Sequence, residues 1–279
     1  MAGTLAVGSN VLIRTAWIRV EATGTFTVGS EAQPASNVTI YLEHTDCQLL
    51  EDGPALDACL VRGQLLSFGT TRIWGMPKTS WTWLSAQATS GASAIEVDDC
   101  AGWVVGDWIV LGPTGHNQRG NDRTSASETY VASVSVGVSS CTVSLTGSLV
   151  RKHDACDDCH GVRKYAEVCN MNRSVEITGP FYSRDHGSAE RDPVPQRGGQ
   201  GVVTSQRHTG VMTMHHVHVS NCGRIVLGEY CLHLHILGVC PACRFEGVVV
   251  TRGVNKALVF HATHQASAQD FIAYDHKGA

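Results

Sequence analysis

From Leu227 onward the chain reads LGEYCLHLHILGVCPACRFEGVVVTRGVNKALVFHATHQASAQDFIAYDHKGA, and this stretch repeats itself. Leu232-His233-Leu234-His235 aligns with Leu258-Val259-Phe260-His261, and Phe245 to Val250 with Gln269 to Tyr274, at a period of about two dozen residues. A repeat of that length is one coil of a solenoid. Within each coil the runs are short, apolar and rich in β-branched residues, such as GVVVT, ALVF and DFIAY, with glycine or polar corners between them. Helices would need longer runs at a 3.6 period, so the pattern predicts strands stacked in parallel. His235 and His261 should then lie one above the other on adjacent coils.

Of the 279 residues, 43% are hydrophobic, enough to bury the core of one long domain or two smaller ones. A net charge of -4 and a pI near 6.4 argue against a broad basic surface, so no nucleic-acid partner is expected. Charged residues make up only 16% while glycine reaches 29, which favours tight corners over exposed helices. No apolar run is long enough to cross a bilayer, so no transmembrane segment is expected in this chain. Residues Met1 to Val11 lack the basic start and apolar centre of a secretion signal. Yet the 11 cysteines, together with the sequons Asn37-Val38-Thr39 and Asn172-Arg173-Ser174, fit a secreted protein better than a cytosolic one. The two observations agree if the chain is part of a longer polypeptide whose signal lies upstream.

Residues 1 to about 115 read as short strands separated by glycine or proline: VLIR, WIRVE, TFTVG, NVTIYLEH, CLVRGQLLSF, TWTWLSA, AIEVDD and DWIVLG. Several alternate, as in Trp17-Ile18-Arg19-Val20-Glu21, with one face buried and one wet. Trp74, Trp81, Trp83, Trp103 and Trp108 are expected mainly as core residues, with sugar stacking as the competing reading. Strands continue through TYVASVSVG, CTVSLTG and RSVEITG. Two Cys-x-x-Cys pairs, Cys156 with Cys159 and Cys240 with Cys243, suit either disulfides on a secreted solenoid or a shared zinc site. The polar stretch Phe181 to Gln200 predicts a surface loop, and Arg184, Arg191 and Arg197, with Arg207 nearby, have the guanidinium geometry to meet an anionic sugar.

Nine of the 14 histidines fall in the last 72 residues. Side chains two apart share a strand face, so His216 goes with His218 and His233 with His235. If Leu232 and Leu234 face the core, His233 and His235 face outward, where a coil surface can form a groove. Glycosidic cleavage needs two carboxyl groups, one protonated and one ionised. Glu229, Glu246, Asp270 and Asp275 are the acids near the ladder. The repeat matches Glu246 with Asp270 on coils about 4.8 Å apart, close enough for one to raise the other's pKa. His276 beside Asp275 offers another general base or a ligand for a divalent ion.

The order GTFTVGSE, NVTIYL, LLSFGTTRIWGMPKTSWTWL and VVGDWIVLG resembles the G8 domain of the family that includes the cell-migration-inducing hyaluronan-binding protein, its transmembrane relative and the fibrocystin-like proteins. Leu227-Gly228-Glu229-Tyr230, His233, His235, His261-Ala262-Thr263-His264 and Ala273-Tyr274-Asp275 are similar to that family's helix signature. The resemblance implies an all-β fold: a G8 domain over 1–120, connecting strands and loops over 121–200, and a right-handed single-stranded parallel β-helix over 201–279 that is incomplete at its C-terminal end. It also implies an extracellular or cell-surface location and a polysaccharide partner of the glycosaminoglycan class. Two functions stand. One is a hyaluronidase-like glycosidase with Glu246, Asp270 and Asp275 as catalytic acids and His233, His235, His261, His264 and Arg224 as the substrate-binding set. The other is a non-catalytic binding or adhesion module with a structural histidine ladder. No residue is assigned to a metal, and no cofactor is assigned.

Overall fold

The computed structural model describes residues 2–43, 63–114, 126–158, 161–180, 210–223, 228 and 230–276, together with the backbone of 201–205. Every regular element among them is a strand. The first face of a parallel β-helix stacks Thr4–Val7, Thr25–Val28, Thr70–Trp74, Val211–His215, Arg244–Glu246 and Ser267–Gln269. A second face stacks Val11–Thr15, Val38–Leu42, Val175–Thr178, Val217–Ser220, Val249–Thr251 and Ile272–Tyr274. The third holds Trp17–Val20, Gln64–Ser67, Gly201–Ser205, Leu232–Val239 and Leu258–His264. The chain visits the faces in turn, and neighbouring coils pair in parallel.

Alternation within each strand sends every second side chain inward. Phe26, Ile40, Leu42, Leu65, Ile73, Val175, Ile177, Met214, Leu232, Leu234 and Phe245 are fully buried in this interior. Because pairing is in register, the same kind of side chain recurs from coil to coil. Ile13, Ile40, Ile177, Val219 and Val250 form one such column.

The corners are columns too. After the first face, His216, Gly247 and Asp270 occupy the left-handed region at φ 53°, 62° and 50°. The His216 N–H donates to the Glu246 carbonyl at 2.8 Å, so the backbone ladder runs on through the bend. After the second face the same conformation recurs at Asn221, Arg252 and Asp275. Gly223, at φ 78°, has no room for a side chain: a Cβ there would run into the Val254 carbonyl. Only glycine meets both demands.

Strands from Thr4 onward join the helix, whereas the sequence reading began the coils at residue 201. A short alternating strand such as WIRV reads the same in a coil or in an antiparallel sheet, so local pattern could not separate them. The compact unit containing the helix comprises Met1–Met76 and Arg173–Ala279. Between its strands Thr70–Trp74 and Val175–Thr178 the chain makes a second unit, Pro77–Asn172.

That second unit is an antiparallel six-stranded sheet. Its order is Trp81–Trp83, Glu167–Asn170, Trp108–Leu111, Ser127–Val136, Cys141–Leu145, Ala94–Val97, with a small hairpin of Ala155–Cys156 and Lys164–Tyr165. Leu84, Val97, Ile109, Leu111, Val131, Val143 and Val168 are its fully buried core. A buried charge needs complete pairing. Asp107, 2% exposed, has it: Lys78 Nζ lies 2.7 Å from both oxygens, and the Asn170 amide and Val104 N–H also donate to it. His153 is wholly buried between the Gly112 carbonyl and the Ser127 hydroxyl, a packed residue whose pKa burial pushes down.

Disulfides join Cys100 to Cys141, Cys222 to Cys231 and Cys240 to Cys243. Cys156 is disulfide-bonded as well, while Cys159 lies outside the described residues. The zinc alternative for the two Cys-x-x-Cys pairs is therefore corrected, since Cys240 and Cys243 are oxidised to each other and offer no thiolate.

Replacing Ile177 with alanine removes the middle of a five-coil column and should destabilise the protein by about 2–5 kcal/mol, read as a lower urea midpoint. Gly223→Ala should cost about 1–3 kcal/mol in the same assay through backbone strain.

Candidate functional site

The third face carries the densest group of titratable side chains. Leu232–Val239 pairs with Leu258–His264 so that His235 stands opposite His261, as the repeat predicted. Leu232 and Leu234 are fully buried, which turns His233 and His235 to the other side of the strand. The three imidazoles converge there. Ring centroids are 4.9 Å apart for His233 and His235, 4.8 Å for His235 and His261, and 6.1 Å for His233 and His261. One ring nitrogen from each lies within 4.8 Å of the others.

Exposure within the cluster is graded. His261 is exposed and His235 half-buried, but His233 is only 4% exposed, which corrects the expectation of an open outward residue. The reason is a cover. The Tyr230 ring lies 4.8 Å from that of His233, and Lys256 Nζ lies 5.7 Å above the tyrosine. His233 Nδ1 is 2.8 Å from the Gly228 carbonyl, a partner that can only accept, so this nitrogen carries the proton. Its Nε2 is buried without a hydrogen-bond partner. Burial, the dominant cause, together with the neighbouring imidazoles, pushes the His233 pKa down to about 4. Both Gly228 and Tyr230 belong to the connection closed by Cys222–Cys231. Just past His235 the pairing register shifts, with Ile236 at φ 55°, and this bulge interrupts the ladder beside the cluster before pairing resumes at Gly238 and Thr263.

The other predicted site residues go elsewhere. Glu246 stands on the first face opposite Gln269, not Asp270, which corrects the expected match. Asp270 is one residue further on, at the exposed left-handed corner. A one-residue slip carries a side chain to a different side of the strand, so the two acids are not a cross-strand pair. Glu246 instead pairs with Arg244 at 2.6 Å and lies 3.4 Å from His215 Nδ1. His215 in turn stacks on Trp74. Asp275 is exposed at the corner after the second face. Its neighbour His276 is held by the Asn255 carbonyl at 2.6 Å rather than set up as a base. His264 is exposed at the far end of the third-face strand. Arg184, Arg191, Arg197, Arg207, Arg224 and Glu229 lie outside the described residues.

The second face adds a polar network: Ser220 Oγ lies 2.6 Å from Glu176 Oε1, and His218 Nε2 lies 2.7 Å from Thr251 Oγ1. Burial, aided by the charges of Arg173 and Arg252, holds the His218 pKa down to about 3. The ring is thus neutral at pH 7, and its 3.7 Å approach to Glu176 is not an ion pair.

The 77–172 unit contains an open cleft of about 560 Å³ lined by Trp83, Asp98, Pro113, Thr114, Arg163, Lys164 and Tyr165. Arg163 sits 5.0 Å over the Tyr165 ring and 3.3 Å from Asp157. Trp81 and Trp83 are 37% and 38% exposed and meet edge to face, while Thr82 between them is buried. Trp103 alone among the five discussed tryptophans is a fully core residue. The Trp-Thr-Trp spacing was the available signal, since residues two apart share a face. What it lacked was the direction of that face.

Residues 197–279 match the sequence model of the family described as CEMIP beta-helix. The chain is 24% identical to fibrocystin-L of Mus musculus over 305 positions, covering 97% of this chain and 7% of that protein. It is 23% identical to fibrocystin-L of Homo sapiens over 296 positions, covering 91% and 7% respectively. The chain thus spans about 7% of the length of these relatives. Among solved structures it is similar to the Gp54 tailspike of Acinetobacter baumannii bacteriophage AP22, determined in complex with A. baumannii capsular saccharide. That match has 11% identity and a TM-score of 0.26, and covers 98% of this chain and 52% of the tailspike. The tailspike protein gp49 from Pseudomonas phage LKA1 matches at 14% identity and a TM-score of 0.28, covering 98% of this chain and 38% of that one.

An imidazole kept neutral by the fold takes up its proton in the unfolded chain at about pH 6.5. Stability should therefore fall as pH drops below about 6.5, continuing toward the lowered folded-state values of about 4 for His233 and about 3 for His218. Urea midpoints at pH 7 and pH 4.5 should show this loss, and His218→Gln should reduce it. Removing the Cys222–Cys231 bridge, a sequence separation of 9, by a double serine substitution should cost about 2–3 kcal/mol in the same measurement.

Proposed function

We propose that this relative of the CEMIP and fibrocystin-like proteins is an extracellular or cell-surface polysaccharide-handling protein whose partner is an anionic, glycosaminoglycan-type chain such as hyaluronan. The observation that carries the reading is the cleft of Trp83, Tyr165, Arg163 and Lys164. Sugar rings offer apolar C–H faces that pack on aromatic rings, while guanidinium and ammonium groups answer uronate carboxylates. The Arg163–Asp157 pair is exposed and therefore weak, so the guanidinium can exchange one carboxylate for another at little cost. The disulfides and the two sequons fit an oxidising, extracellular setting.

Binding is favoured over depolymerisation by one specific observation: Glu246 faces Gln269 and is engaged by Arg244, so the acid pair proposed with Asp270 lacks the expected cross-strand register. In the depolymerising alternative, Glu246, Asp270 and Asp275 remain the proposed acids and His233, His235, His261, His264 and Arg224 the proposed substrate-binding set.

Titration with defined hyaluronan oligosaccharides tests the binding reading. Trp83→Ala and Arg163→Ala should each weaken binding about tenfold or more, and added salt should weaken it in the wild type. Binding unaffected by either substitution would reject the cleft as the site. Labelled hyaluronan should keep its chain length after incubation with the protein, and shortening would favour the glycosidase reading instead.

A further inference from the structure

Among the described residues, His233, His235 and His261 are the group of ligand-type side chains whose donor atoms gather, one nitrogen from each within 4.8 Å of the others. Two independent features of His233 suggest a ligand. Its buried Nδ1 donates to the Gly228 carbonyl, the backbone contact that fixes the tautomer of a metal-bound imidazole and leaves Nε2 with a lone pair to offer. That Nε2 is buried in a side chain only 4% exposed and has no hydrogen-bond partner, an arrangement that costs about 1–3 kcal/mol unless something accepts the lone pair. A hydroxyl or amide from the protein would settle the cost, and none does. We propose that these three imidazoles bind a zinc-type divalent cation on the third face of the helix.

The donor set selects the ion. Three neutral nitrogens suit zinc, cobalt, nickel or copper, whereas calcium and magnesium require oxygen ligands. A tetrahedral zinc at about 2.0–2.1 Å from each nitrogen sets nitrogens about 3.4 Å apart. The present spread of 4.8 Å closes by rotation of the exposed His261 ring toward His233 and His235. His233, locked by Gly228 and Tyr230, is the fixed ligand on which the others close. A tri-histidine set leaves a fourth position for water or for an oxygen of a bound molecule. The site lies on the helix unit and does not depend on the saccharide cleft of the 77–172 unit.

The test uses tag-free protein, stripped of metal, with zinc and cobalt as probes and no saccharide present. One zinc per chain should bind in calorimetry, the melting temperature should rise with zinc, and cobalt should give the intense visible absorption of a tetrahedral site. His235→Ala and His261→Gln alter exposed or half-exposed side chains outside the core, and each should weaken zinc binding about 100-fold or more and abolish the cobalt spectrum. Wild-type protein that takes up no zinc, or variants that bind it as well as the wild type, would overturn the proposal. Replacement of zinc by calcium with an equal rise in melting temperature would overturn it too.

Discussion

Backbone pairing in parallel and in register is the constraint from which the helix unit follows. Each strand is hydrogen-bonded to the strand one coil away, so a residue has little choice of neighbour. It sits above and below whatever occupies the same register. An isoleucine in the interior therefore meets isoleucine or valine, as in the column from Ile13 to Val250. A corner residue in the left-handed region meets another in the same conformation. Those corners tolerate histidine, asparagine, arginine and aspartate because the ladder on both sides over-determines the backbone there.

The same constraint builds chemistry without a dedicated loop. A histidine at one register in two successive coils produces two imidazoles side by side, and a third at two residues' distance shares their face. What distinguishes the result from a surface ladder is the cover. The connection closed by Cys222–Cys231 places Tyr230 over His233 and brings the Gly228 carbonyl to its ring. One imidazole becomes a fixed, neutral, oriented donor while its two neighbours keep access to solvent. By contrast, the 77–172 unit gathers aromatic and cationic side chains around an open cleft.

Legibility in the sequence followed the constancy of coil length. From His235 to His261 the pattern of leucines and histidines is nearly unbroken, and the register read from it is the one observed. Beyond it the turn joining the third face to the first spans Cys240 to Cys243 in one coil and only Gln265 and Ala266 in the next. The turn, shorter by two, and the one-residue register shift just past His235 together reduce the coil spacing from 26 to 23, so Glu246 meets Gln269 instead of Asp270. A turn's length leaves no periodic trace, so the shift was invisible without the pairing itself. The N-terminal coils were hidden for a related reason, because a 96-residue unit, Pro77–Asn172, separates strands that stack as neighbours.

By itself the sequence determined the class of fold and the histidine column, since alternation and a repeated dipeptide are local properties that parallel stacking turns directly into contacts. Which histidine is buried, which acids face one another and which tryptophans reach solvent were decided only by the tertiary structure. Those outcomes depend on turn lengths, on a disulfide between residues with a sequence separation of 9 and on cover from outside the strand. None of them is encoded in the period of the strand itself.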